Sequence, residues 1–99
     1  MTVPTHDEEE SFRHDWKHLN RRQKRAFLTA MQEFAHDLDA GDLRASLRVK
    51  PMSDHPGIWE MTWEGADGRA TFRYGRERIA GKRHVIWRRI GGHDIFQEP

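Results

Sequence analysis

The sequence contains no cysteine. Disulfide staples and thiolate metal sites are therefore excluded, which fits a reducing, cytoplasmic setting. No apolar run approaches the roughly 18 residues that a membrane span needs. The opening, MTVPTHDEEE, lacks the basic segment and the apolar core of a secretion signal. Hydrophobic residues are scarce at 35%, nearly matched by 33% charged ones. Repeats and low-complexity linkers are absent, so the chain is expected to make a single domain over residues 1–99, with one modest core. Against this polar background stand four Trp and five Phe, large units of burial that argue for a folded chain.

The net charge is only +1, but it is unevenly distributed. Residues 1–43 hold 6 Lys and Arg against 9 Asp and Glu, and residues 44–99 hold 11 against 7. A basic second half is either a solvated surface or a surface for phosphates.

The apolar period changes near Gly41, from helical to alternating. A first helix is expected from Thr5, where Thr5 and Glu8 have capping-box spacing and Asp7 to Glu10 place negative charge at the positive end of the dipole. Its apolar stripe is Phe12, Trp16 and Leu19. Asn20 stops it and caps a second helix, with Gln23 at the box position. That helix carries Phe27, Leu28, Met31, Phe34, Ala35 and Leu38 and ends at Gly41. The pair should form a hairpin.

Strand patterns follow. ASLRVK puts Ala45, Leu47 and Val49 on one face and Ser46, Arg48 and Lys50 on the other. IWEMTW groups Trp59, Met61 and Trp63, and Asp67-Gly68 is a hairpin signal. RATFRY points Ala70, Phe72 and Tyr74 inward and Arg69 and Arg73 outward. GRERIAGKR reads as a charged loop. In HVIWRRI, Val85 and Trp87 share a face with Arg89, which places one of the two arginines at the strand end. The expected fold is α+β, an N-terminal helical hairpin packed on a roughly four-stranded antiparallel sheet. The open sheet face would then gather Arg48, Lys50, Arg69, Arg73 and either Arg88 or Arg89. Like charges side by side repel, so such a face suggests an anionic ligand.

Three stretches carry candidate chemistry. HDWKH, residues 14–18, has the i, i+4 histidine spacing of a zinc helix. Its apolar neighbours define the opposite side as buried, so His14 and His18 read as exposed surface residues, and no metal or cofactor is implied. SDHPG makes a turn between two strands and carries His55; a turn alone accounts for it. IGGHDIF presents His93 after two glycines, four residues beyond Arg89. Imidazole titrates near neutrality, and beside phosphate-binding arginines it suits RNA cleavage by 2′-hydroxyl attack.

The whole pattern resembles the RelE/ParE superfamily of bacterial toxins, in which a helical hairpin packs on an antiparallel sheet. The resemblance runs from about Phe12 to Phe96 and rests on LRVKPM, DHPGIWEMTW, DGRATFRY and WRRIGGHDIF. The last stretch is similar to the YafQ-like branch, which ends in Arg-x-Gly-x-His followed closely by Phe. Arg89, Gly91, His93 and Phe96 match that motif. His55 matches a second functional histidine, and Asp67 an acidic residue in the hairpin. Trp63 stands where that branch has a further histidine.

The resemblance implies a toxin of a type II toxin–antitoxin system, a metal-independent endoribonuclease acting on ribosome-bound mRNA. His93 and His55 would transfer protons, and Arg89 and Arg69 would stabilise the phosphate. RNA would be held by Lys50, Arg48, Arg73, Arg88, Asp67 and Phe96, with Phe96 or Trp87 stacking on a base. An antitoxin partner and a cytoplasmic location follow. The ParE branch of the same fold implies instead a gyrase inhibitor without nuclease residues, and a non-catalytic binding module is a third expectation.

Overall fold

The computed structural model describes residues 5–64 and 67–99. In chain order they form β1 (Thr5–Glu8), α1 (Glu10–Lys17), α2 (Arg21–Ala40), a 3-10 turn (Ala45–Leu47), β2 (Lys50–Pro51), β3 (Trp59–Glu64), β4 (Gly68–Ile79), β5 (Lys82–Gly91) and a second 3-10 turn (His93–Gln97). The strands make one five-stranded sheet in the order β1-β5-β4-β3-β2. Every pairing is antiparallel except that of β1 with β5. The two helices pack on one face, so the expected α+β hairpin-on-sheet architecture is present, with one more strand than expected.

The extra strand corrects the expected helix start. Thr5–Glu8 is extended and runs parallel to β5, with Thr5 opposite His84 and Glu8 opposite Trp87. The Thr5 hydroxyl lies 2.7 Å from His84 Nδ1, so it is used across strands and caps no helix. Helix α1 begins at Glu10 instead. The capping-box signal is local; it loses to the backbone groups of β5, which require partners along their whole edge.

Helix α2 follows its sequence closely. Asn20 accepts from the Gln23 amide at 2.8 Å, and the Gln23 side chain accepts from the Asn20 amide at 2.8 Å. At the other end Gly41 adopts the left-handed conformation, φ 82°. The chain then departs from expectation. Residues 45–47 form a 3-10 turn and Arg48 is left-handed at φ 49°, so of ASLRVK only Lys50 enters a strand, as the first residue of β2. The cause is buried Asp37, which accepts from the Arg44 amide at 3.1 Å and from the Arg44 guanidinium at 2.6 and 2.9 Å. This clamp folds the chain back onto α2 before any strand can extend. The Arg44 hydrogen bonds hold the Asp37 carboxyl at about 2, below the ordinary carboxylate range.

The core is aromatic. Trp87 is 1% exposed and meets Phe27, Phe34 and Phe72 at ring distances of 5.2, 5.7 and 5.3 Å. Met61, Ala70, Phe72, Val85 and Ile90 complete the buried sheet face. Phe12 is buried beside Trp16, as the α1 stripe predicts, while His14 and His18 are exposed.

Two further differences concern β4 and β5. GRERIAGKR is no loop: β4 extends to Ile79 and pairs with Lys82 across the Ala80-Gly81 turn. A solvated antiparallel arm shows no apolar alternation, so its pattern reads as loop. The conflict over Arg88 and Arg89 is resolved by a bulge. Phe72 pairs with Trp87 and Thr71 with Arg89, so Arg88 is the extra residue and both arginines lie within β5. The Asp67-Gly68 hairpin signal falls partly beside residues 65 and 66, outside the described residues; Gly68 itself opens β4.

Candidate nucleic-acid site

The sheet face opposite the helices is partly covered by the C-terminal 3-10 turn. Ile95 of that turn is buried against Gly91, where a side chain would bring its Cβ to 3.0 Å from Ile95 Cγ2. A Cβ on Gly92 would meet the Asp67 carbonyl at 3.6 Å. Gly91 therefore serves close approach, letting the His93 turn lie against the sheet, whereas a side chain at Gly92 would make only ordinary contacts. His93 itself is exposed, and its ring stands edge-on to Phe96 at 5.7 Å.

Phe96 forms one wall of an open cleft of about 490 Å³. The other walls come from Lys50, Met52, Asp54, His55 and Glu60. His55 is held there by a closed turn. Its amide donates to the Met52 carbonyl at 3.4 Å, its carbonyl accepts from Ile58 at 3.0 Å, and Met52 donates back to Ile58 at 2.9 Å. Gly57 supplies the left-handed residue, φ 85°. Lys50 reaches across to Glu60 at 3.7 Å and is otherwise exposed. One cleft thus brings together Lys50, His55 and Phe96, with His93 against Phe96.

The expected arginines stand differently. Arg69 is 8% exposed and donates to the neighbouring Gly68 carbonyl at 2.9 Å, while its own carbonyl accepts from the Trp63 indole at 2.8 Å. Arg89 donates to both carboxylate oxygens of Asp15, at 2.7 and 3.2 Å, and to the Glu98 carbonyl at 2.9 Å. Asp15 also accepts from the Ile90 amide at 3.1 Å. These hydrogen bonds raise the Arg89 pKa further above its ordinary value. Arg88 and Arg73 share Glu9, each at 3.3 Å, and Arg88 also holds the Pro99 carbonyl at 3.1 Å. Arg48 is exposed on its left-handed turn, with no ion pair among the described residues. Asp67 is exposed beside Gly92. Trp87, offered as a stacking residue, is instead the centre of the core.

Sequence reasoning gave no site role to Asp15, Glu9 or Glu60. Asp15 lies inside HDWKH, where attention falls on the histidines. Glu60 was legible by parity, since alternation places it opposite Trp59 and Met61 on the open face. Among the described residues no group of three or more metal-binding side chains forms a cluster.

At the level of sequence, no protein-family model and no curated protein matches the chain. Solved structures do match its fold. A chain of the E. coli DinJ–YafQ toxin–antitoxin complex superposes with TM-score 0.66 at 15% identity, over 92% of this chain and 93% of that one. YafQ from E. coli strain BL21(DE3) gives 0.59 at 18%, over 94% and 97%. A chain of the RelB–RelE antitoxin–toxin complex from Methanococcus jannaschii gives 0.61 at 12%, over 93% and 95%. The protein therefore has the fold of the RelE-like toxins, and within that class its likeness extends to both YafQ and RelE structures. No helix of the described residues is long and apolar enough to cross a membrane.

Proposed function

We propose that this protein is the toxin of a type II toxin–antitoxin pair and acts as a metal-independent endoribonuclease on mRNA at the ribosome. The observation that carries this reading is the cleft itself, where His55, Lys50 and Phe96 converge and His93 stands on Phe96. A single-stranded RNA can lay a base on Phe96 and its backbone along Lys50. One imidazole then takes the proton of a 2′-hydroxyl as its oxygen attacks the adjacent phosphorus. The P–O5′ bond breaks, leaving a 2′,3′-cyclic phosphate. The second imidazole protonates the departing 5′-oxygen. Lys50 offsets the charge that builds on the phosphate. His93 is assigned as the principal proton-transfer group and His55 as its partner.

Arg89 reaches a phosphate only by exchanging its present acceptors, whereas Arg69 spends a single donor, on the Gly68 carbonyl. Arg89 has a second role available without exchange. It ties α1 and the Glu98 carbonyl to the strand that ends in Gly91-Gly92-His93, and so holds the His93 turn in place. Exposed Arg48 and Arg73 are assigned weaker contacts with RNA backbone beyond the cleft. The fold likeness to toxins solved in complex with antitoxins supports an antitoxin partner for this chain as well.

The test is a translation reaction programmed with a defined message, followed by mapping of its 5′ ends. New ends that vanish with His93→Ala support the assignment, whereas intact message with folded protein defeats it. One observation favours a second reading, a non-catalytic binding module: Arg89, expected at the phosphate, is already engaged by Asp15 and the Glu98 carbonyl. Expression without growth arrest, together with RNA binding but no cleavage, would select it.

A further inference from the structure

The cleft contains a group that the proposed phosphate chemistry does not use. The Glu60 side chain is 17% exposed and lines the cleft with His55 and Phe96. Among the described residues its nearest cationic partner is Lys50 at 3.7 Å, outside hydrogen-bond distance, and it makes no side-chain hydrogen bond. Glu60 is fixed in place by pairing on both sides, with Lys50 on β2 and Thr71 on β4. An ionised carboxylate offers acceptors and no donor, and it repels a phosphate. Its place in a groove for single-stranded RNA is therefore against a base.

We propose, building on the reading of this cleft as an RNA site, that Glu60 makes it selective for guanine, with the base stacked on Phe96. The chemistry singles out one base. The Watson–Crick edge of guanine presents two adjacent donors, N1–H and the N2 amino group, which match the two oxygens of a carboxylate. Adenine and cytosine each set one amino group beside a ring-nitrogen lone pair that faces the carboxylate. Uracil sets one N–H between two carbonyls. A bidentate, charge-assisted pair in a partly desolvated cleft is the strong kind of hydrogen bond. Bases of single-stranded RNA are read in this way, by stacking plus their Watson–Crick edge. Lys50, loosely held by Glu60, is then released toward the phosphate that follows the bound base.

Binding can be measured apart from cleavage. Short RNA oligomers with 2′-O-methyl groups throughout lack the attacking hydroxyl, and their affinity for the folded protein can be followed by tryptophan fluorescence. An oligoadenylate carrying one central guanine is expected to bind about 10- to 100-fold more tightly than the all-adenine oligomer. Hypoxanthine at that position, which keeps N1–H and lacks the amino group, is expected to fall between them. Glu60→Gln should reduce the guanine preference to no more than about threefold while leaving adenine binding intact or tighter. Glu60→Asp, which keeps the acceptors, should retain part of it.

Equal wild-type affinity for the guanine and adenine oligomers, or a preference that survives Glu60→Gln, overturns the inference and leaves the nuclease reading untouched. A Glu60-dependent preference in a protein that cuts no message upholds the inference and removes the nuclease. No binding to any RNA removes both.

Discussion

The open face of the sheet carries basic residues in two places, and they are built differently. At the β5 side, Glu9 holds Arg73 and Arg88, and Asp15 holds the Arg89 guanidinium with a bidentate pair and accepts from the Ile90 amide. At the β2–β3 side, Lys50 and Glu60 stand 3.7 Å apart, His55 sits on a turn, half-buried Phe96 walls an open cleft, and exposed His93 stands against Phe96. Arg89, whose donors meet the Asp15 carboxylate and the Glu98 carbonyl, is a staple, whereas exposed Arg73 makes a single bond to Glu9. A charge without a matched acceptor is available to a ligand. The sequence alone presents both regions as one stripe of cations.

The difference can be broken at either end. The largest effect is expected from His93→Ala, which should reduce message cleavage by about 10²- to 10⁴-fold, the usual worth of a general acid or base. Thermal unfolding should be unchanged, since His93 is exposed. Loss of fold along with activity would move His93 into the structural region.

Asp15→Ala should destabilise the protein by about 2–3 kcal/mol, because it strands the Arg89 guanidinium and the Ile90 amide together. The midpoint of urea unfolding measures this. A shift no larger than that of an ordinary surface substitution would show that the β5 staple is ornamental.

The Asp37–Arg44 clamp sharpens the same idea through pH. The Asp37 carboxyl lies at about 2 in the folded protein, below its ordinary value of 3.8. A lowered carboxylate contributes stability that is fully present above its unfolded value and is lost as pH falls through the folded one. Stability should therefore decline between pH 4 and pH 2. Asp37→Asn should flatten that limb while costing stability at neutral pH. An acid limb identical in the variant would assign it to other carboxylates.

The smallest effect on the fold is expected from Lys50→Ala. Stability should change by no more than about 0.5 kcal/mol, as for other exposed charges. RNA affinity should nevertheless fall, and its salt dependence should lose about one unit of slope. Unchanged RNA affinity would remove Lys50 from the backbone contacts.

Much of the fold is legible wherever the decisive contact is local. The Asn20–Gln23 box and the Gly41 stop lie within one helical turn of the ends they define. The inward run of Ala70, Phe72 and Tyr74 follows from strand period alone. Thr5–Glu8 was not legible, because its partner lies 79 residues away along the chain, where Thr5 meets His84. The bulge that admits both Arg88 and Arg89 depends on where β4 places Thr71 and Phe72. Residues 45–49 alternate like a strand, but the Asp37–Arg44 clamp folds them into a turn.

The candidate site shows the same division. His55, His93, Lys50 and Phe96 are visible in the sequence as residues capable of chemistry, each in a turn or strand of recognisable type. By itself the sequence determined most of the residues that face the core, though not Leu28 and Ala45, which are exposed, and where helix α2 stops. Those properties depend on neighbours within a few positions. Only the tertiary structure decided which charges are satisfied, because a hydrogen bond depends on distances of about 3 Å between groups remote in the chain. Asp15 and Arg89 are 74 residues apart in sequence and 2.7 Å apart in space. That separation turned one expected cation into a staple and left the cleft beside Glu60 open.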